Sequence, residues 1–281
     1  PPRSTPLYSS AASDVYKRLN NDGTKLFMSS TQPQLPAGDT ILVSEFNLST
    51  PYDISSRTYA GDSERCTMAE VTLTPYDLEF NHDGTKLFVA TRSATAGADK
   101  DKLFRYDLTT PYDISTCQFA QQTEDLDVEA FTDDSDSPSN NIRLQGLEFS
   151  NDGSKVFLSW FGPSNTAKLL EYTLSTPYDI TSLQLVTTAG IDMGTGTTAN
   201  VINSAGIRFS ANGKRIFIIS HTSGDQGITQ ISLTNAFDTS SFVIDGKFAL
   251  NSASPSNLQP RGVSFNSNGL KLYIGNDFNH G

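Results

Sequence analysis

Cysteine, histidine and tryptophan are scarce in this chain: two, three and one among 281 residues. His82, His221 and His280 are scattered, with no His-Glu-x-x-His and no Cys/His spacing that would hold a metal ion. No Gly-x-Ser-x-Gly elbow and no phosphate-cradling glycine loop is present, so the common signatures of hydrolases and nucleotide-binding enzymes are missing. Basic residues are also few. Lys and Arg total 20 against 31 Asp and Glu, a formal net charge of −11. That balance offers phosphates no basic groove and speaks against nucleic acid; it suits solubility, an extracellular milieu or cation binding. No apolar run reaches the roughly 18 residues a membrane helix needs, and no N-terminal apolar stretch resembles a signal peptide. Neither membrane insertion nor an uncleaved leader is expected, and the opening Pro1-Pro2-Arg3-Ser4 reads as a mature or trimmed start. A helical stripe with caps is lacking throughout.

What is present is a repeat with two landmarks. The first reads apolar-x-Phe-x-x-(Asp/Asn)-Gly, followed by a basic residue and an apolar–aromatic pair. It runs over Leu78–Phe88, Leu147–Phe157, Ile207–Phe217 and Val263–Tyr273, with a degenerate copy through Asp22–Phe27. The second reads Leu-(Ser/Thr)-Thr-Pro-Tyr-Asp-Ile at Leu48–Ile54, Leu108–Ile114 and Leu174–Ile180, fading at Leu233–Thr239. The turn glycines stand at 23, 84, 153, 213 and 269, and the prolines at 51, 111 and 177 with a relic at 236. Two unrelated landmarks therefore share a period of about 60 residues, the mark of a repeat architecture.

The unit from 145 to 190 is the best preserved. Gln145–Ser150 alternates apolar and polar residues as a strand does. Asn151-Asp152-Gly153 is a hairpin signal, because Asp and Gly tolerate the positive φ that tight turns use. Lys155–Trp160 and Ala167–Leu174 read as the second and third strands. Pro177 and Asp179 mark the next turn, and Ser182–Val186 reads as a fourth strand. Val156 and Leu158 point one way and Phe157 the other, so the sheet is apolar on both faces and needs a neighbour on each. The 17 Phe and 10 Tyr suit such packing. The expectation is an all-β protein, a β-propeller of four-stranded antiparallel blades with about five blades visible and the last incomplete. A single domain over 1–281 divides into repeats near 14–74, 75–142, 143–202, 203–258 and a partial 259–281.

Phe149-Ser-Asn-Asp-Gly-Ser-Lys-Val-Phe157 resembles the Asp-Gly hairpin of TolB-like, lactonase-like and WD-repeat-like propellers. Its pairing with Leu-Ser-Thr-Pro-Tyr-Asp-Ile resembles propeller repeats of secreted bacterial and bacteriophage structural proteins, where Trp often replaces the Tyr. The resemblance spans about four-fifths of the chain and implies fold; propellers host many functions, and no catalytic set carries over.

In the complete units the proline follows the turn Asp or Asn by 24 to 29 residues, so a fifth copy belongs near 292–297, beyond Gly281. Either Ser4–Ser10 supplies the missing outer strands or the chain is part of a longer propeller. Only 16 residues separate Pro6 from Asp22, against 32 between Pro51 and Asp83, and this spacing favours the second reading.

Four sets of residues are candidates for more than packing. The acidic insertion containing Asp125, Asp127, Asp133, Asp134 and Asp136 is the best Ca²⁺ candidate, although its spacing fits a solvated loop better than a Ca²⁺ loop. The position before each first-strand Phe carries Arg18, Glu79, Glu148, Arg208 and Ser264 in successive units. On a propeller these form a ring at one height around the axis, either pairing to set blade register or lining a ligand site. Cys66 and Cys117 either form a disulfide between neighbouring blades or lie buried as small apolar residues. Asn47-Leu48-Ser49 matches a glycosylation sequon that reads as chance. The preferred function is a non-enzymatic structural or recognition module outside the cell, in an appendage, surface layer or virion, with a protein or glycan partner or self-assembly. The alternative is a lactonase-like or other hydrolase with a divalent cation on the axis. Glycan binding through Trp160 and Phe161, read as exposed loop aromatics, is a third reading.

Overall fold

The computed structural model describes residues 17–32, 40–71, 74–92, 101–124, 126, 143–161, 167–187, 190–193, 204–220, 226–250 and 260–276. The described strands form five separate antiparallel sheets. The first contains β1 (Lys17–Leu19), β2 (Lys25–Gln32), β3 (Thr40–Leu48), β4 (Arg57–Tyr59) and β5 (Arg65–Met68). The second contains β6 (Thr74–Phe80), β7 (Lys86–Arg92), β8 (Lys102–Leu108) and β9 (Cys117–Gln122). The third contains β10 (Arg143–Phe149), β11 (Lys155–Phe161), β12 (Ala167–Leu174), β13 (Leu183–Leu185) and β14 (Ile191–Asp192). The fourth contains β15 (Ser204–Phe209), β16 (Arg215–Ser220), β17 (Gly227–Leu233) and β18 (Phe242–Ala249). A partial fifth consists of β19 (Pro260–Phe265) and β20 (Leu272–Asn276). The first strands β1, β6, β10, β15 and β19 are neighbours around a common axis. The result is a propeller ring of four blades and one partial blade.

The two-sided pattern of the second strand is what stacks the blades. Val156, Leu158 and Trp160 of β11 join Phe88, Ala90 and Leu103 of the second blade in one apolar cluster. Phe157, on the opposite face, joins Ile207, Phe209 and Ile216 of the fourth. Burying each of these side chains contributes about 1.5–3 kcal/mol, so a blade is held from both sides. Trp160 is therefore a core residue, 2% exposed, and not the exposed loop aromatic expected. Phe161, also in β11, is partly buried.

The outer edge departs from a single fourth strand. In the first and third blades it is split, with β4 and β5 both pairing β3, and β13 and β14 both pairing β12. After each Pro-Tyr-Asp turn the Asp side chain accepts a hydrogen bond from the amide two residues on (Asp53–Ser55 2.9 Å, Asp179–Thr181 3.1 Å), nucleating one 3-10 turn. The short strand after that turn leaves the edge and a second piece returns to it.

The hairpins also differ in where strain sits. The Gly of each hairpin turn has positive φ and the Asp does not; among the described residues other than glycine, positive φ occurs at Tyr52, Tyr112, Tyr178 and Phe237. The reason is contact between the two landmarks. A Cβ on Gly153 would lie 2.3 Å from the Tyr178 ring, and the Tyr178 amide donates to the Gly153 carbonyl at 2.9 Å. Tyr52, Tyr112 and Phe237 cover Gly23, Gly84 and Gly213 in the same way. The aromatic takes a left-handed backbone, which costs roughly 1–2 kcal/mol, and gains ring burial in return. The shared period of the two sequence landmarks follows from this contact.

Candidate functional site: the propeller axis

Where the inner strands end, five first-strand positions converge. Arg18, Glu79 and Glu148 are buried, Ser264 is 6% exposed and Arg208 is partly buried. Arg18 is the hub. Its Nε donates to the carbonyl of Leu78 at 2.6 Å, and its Nη atoms reach the carbonyls of Leu147 (3.3 Å) and Val263 (3.5 Å). It also pairs with Glu79 at 2.6 Å, Glu148 at 3.4 Å and Asp77 at 3.6 Å. Arg208 Nη1 lies 2.7 Å from both Glu79 and Glu148. One side chain from the first blade thus contacts the second, third and partial fifth blades. Arg18–Glu79 and Glu148–Arg208 pair as neighbours around the ring, and Arg18–Glu148 and Arg208–Glu79 add links across the axis that the sequence did not suggest.

Asp77 is the member that sequence reasoning missed. It stands two residues before Glu79, at the position of Gly146, Gly206 and Gly262 in the sister strands, and that departure was a readable signal. Its Oδ2 accepts the Leu147 amide at 3.0 Å across the blade joint, and its Oδ1 accepts that of Leu78 at 2.9 Å. Burial pushes its carboxyl up to about 6, against the pull of Arg18 and the Leu147 amide. Burial likewise raises Glu148, with Arg208 and Arg18 opposing it. For Arg208 burial works against the charge, but Glu148 and Glu79 outweigh it and hold the guanidinium protonated.

The sign for stability follows from proton counts. Between the unfolded value of 3.8 and about 6 the folded chain holds the Asp77 proton and the unfolded chain does not. This group's contribution therefore falls as pH rises through that window, by about 3 kcal/mol in all. The expected result is a carboxyl ¹³C titration of Asp77 with its midpoint near 6, and a flatter stability profile from pH 4 to 6 in Asp77→Asn. A midpoint near 4 would mean that the carboxyl is hydrated.

Above this network the axis opens as a funnel of about 560 Å³. Its wall carries Asn20, Asn81, Ser150, Ser210 and Asn266, each spent on its own hairpin: Asn20 and Asn81 accept the amides of Lys25 and Lys86 at 2.9 Å, and Asn266 that of Lys271 at 2.8 Å. His82 sits exposed on the rim.

The remaining candidates fall elsewhere. Cys66 and Cys117 are joined as a disulfide with a Cα–Cα distance of 5.8 Å, linking the first blade to the second. Asn47 is exposed in β3. Asp125, Asp127, Asp133, Asp134 and Asp136 all lie outside the described residues. Among the described residues no group of three His, Cys, Asp or Glu is placed to hold a metal ion.

A second set of joints was also missed. Lys25 pairs with Glu45 at 2.8 Å and donates to the Tyr112 carbonyl of the next blade at 2.9 Å. Lys155 does the same with Glu171 and the Phe237 carbonyl, both at 2.7 Å. Arg105 donates to the Tyr178 carbonyl at 3.2 Å.

Blades stacked about a common axis define a β-propeller, and comparisons agree. The structure is similar to the periplasmic gluconolactonase of Pseudomonas aeruginosa, with TM-score 0.51, 15% identity, and coverage of 93% of this chain and 64% of that one. It is similar also to an α-L-arabinofuranosidase of Podospora anserina, with TM-score 0.50, 8% identity, and coverage of 94% and 78%. The chain spans 57% to 64% of the lactonase structures it matches. No protein-family model and no curated protein matches the sequence. Identities of this size establish the fold alone.

Proposed function

We propose that this chain is a non-enzymatic propeller serving as a structural or recognition module outside the cell, with a protein or glycan partner. The observation that carries this reading is the internal neutralisation of the axis. Arg18 and Arg208 are consumed by Glu79, Glu148, Asp77 and backbone carbonyls, and the polar wall above them is consumed by the hairpins. Catalysis on the axis would draw on polar groups left free to meet substrate or metal, and these arginines, carboxylates and hairpin side chains already have partners within the protein. An extracellular setting is supported by the inter-blade disulfide, since such bonds persist where the milieu is oxidising.

The test pits binding against turnover. A panel of lactone and aryl-glycoside substrates is expected to give no turnover with or without Ca²⁺. EDTA is expected to leave Tm unchanged, and glycan or surface-protein arrays are expected to give saturable binding. Turnover that chelation abolishes would overturn the proposal and install a metal-dependent hydrolase in its place.

A further inference from the structure

Neutralising the axial charges leaves some of their atoms unused. Both arginines reach Glu79 and Glu148 through Oε2. Among the described residues nothing donates a hydrogen bond to either Oε1, although the two glutamates are only 8% and 7% exposed. Arg208 likewise gives the glutamates only Nη1, so its Nε and Nη2 have no acceptor among the described residues. Glu79, Glu148 and Arg208 all line the funnel. Neither Oε1 is sealed from solvent, whereas Oε2 of Glu45 is shut inside a blade joint without a partner. The unused oxygens and N–H groups therefore look onto the funnel.

The chemistry of this floor is narrow. Two guanidiniums stand against two glutamates, so it carries no net charge. Asp77 lies outside the lining, held by the amides of Leu78 and Leu147. A cation entering here meets Arg208, and an anion meets two carboxylates, so either is opposed at contact range. A hydroxyl suits both, because one oxygen donates to a carboxylate and accepts from an N–H. Several hydroxyls on one small ring would engage all the unused atoms together. The wall adds aromatic carbon from Tyr52, Tyr112 and Tyr178, whose own hydroxyls are taken by the carbonyls of Asn21, His82 and Asn151. The funnel's 560 Å³ falls within the range of roughly 300–1,000 Å³ usual for small-molecule sites. Exposed hairpin tips surround its mouth, so a longer chain attached to the bound ring can leave it.

We propose that the funnel binds the uncharged terminal sugar of a glycan. Arg208, Glu79 and Glu148 read its hydroxyls, and the tyrosine wall takes its carbon face. Each charged group keeps one atom on its partner and turns another to the ligand, which fixes orientation and leaves the charges where they are. The inference rests on the recognition reading above and commits it to a glycan at this end of the axis.

The probes are the methyl glycosides of glucose, galactose, mannose and N-acetylglucosamine, titrated calorimetrically into the full 281-residue chain. Glucuronic acid and glucosamine serve as charged counterparts. Saturable binding of at least one methyl glycoside is expected, with the charged sugars at least about tenfold weaker because each sets like charges together. Ala211→Trp places an indole over the mouth from an exposed hairpin tip outside the charge network. It is expected to abolish binding and leave Tm unchanged. Arg208→Gln, its fold checked by circular dichroism, is expected to weaken binding at least about tenfold, the usual weight of a hydrogen bond to a charged group. No binding by any of the four glycosides, binding that Ala211→Trp leaves intact, or preference for a charged sugar would overturn the proposal. Saturable capture of a surface protein in the first case would still uphold the recognition reading, so the two fail separately. Release of p-nitrophenol from a bound aryl glycoside would uphold the site and overturn the non-enzymatic reading.

Discussion

Arg18→Met is expected to destabilise the protein by about 3–5 kcal/mol at pH 8, the loss typical when one partner of a buried ion network is removed. The side chain is 4% exposed and touches the carboxylates of Asp77, Glu79 and Glu148 as well as three inner-strand carbonyls. Without it, Glu79 and Glu148 keep only Arg208 as a cationic partner and Asp77 loses its own, at the buried floor of the funnel. The loss depends on pH in a definite direction. Asp77 and Glu148 are already raised by burial, and removing a guanidinium raises them further. A carboxyl whose folded value lies above its unfolded one costs stability as pH rises through the folded value. The deficit is therefore expected to be smallest near pH 5 and to grow toward pH 8, and Glu79→Gln in the Arg18→Met background should recover part of it. Chemical denaturation at both pH values is the measurement. A deficit independent of pH would mean that Arg18 acts through packing and its carbonyl hydrogen bonds.

Replacing both Cys66 and Cys117 by Ala is expected to cost about 4 kcal/mol. The bond closes a loop of 51 residues, and the chain-entropy cost of opening it at 25 °C has that size. For a chain of this length the loss corresponds to a fall in Tm on the order of 7 °C. The denaturant m-value is expected to rise, since the unfolded chain is freed to expand. Reduction of the unaltered protein should reproduce both effects. Cys66 is fully buried, and Ala leaves no unpaired hydroxyl there as Ser would. If m stays constant while stability falls, the bond acts in the folded state by holding two blades together.

The two landmarks made the ring legible because each is a local rule of backbone chemistry. Asp-Gly writes a hairpin, Pro-Tyr-Asp writes a turn, and alternation on both faces demands a neighbour on each side. The ring positions were legible for the same reason: they fall at one register in every first strand. Asp77 escaped because its importance lies in a hydrogen bond to Leu147, a residue 70 positions away. Trp160 was misread although it continues the Val156–Leu158 face of β11, because the residues that cover it, Phe88 and Leu103, belong to another blade and the local sequence does not show how far along the strand that cover extends.

The order of strands, the blade repeat and the five ring positions are thus determined by sequence alone, since each depends on a pattern within one unit; Asp77 is not. Which charges neutralise which and whether two thiols meet depend on the angle and height at which neighbouring blades pack. Those quantities arise from side-chain volumes summed over whole faces. Only the tertiary structure decides them, and it turns a ring of two arginines, two glutamates and a serine into a connected network around Arg18.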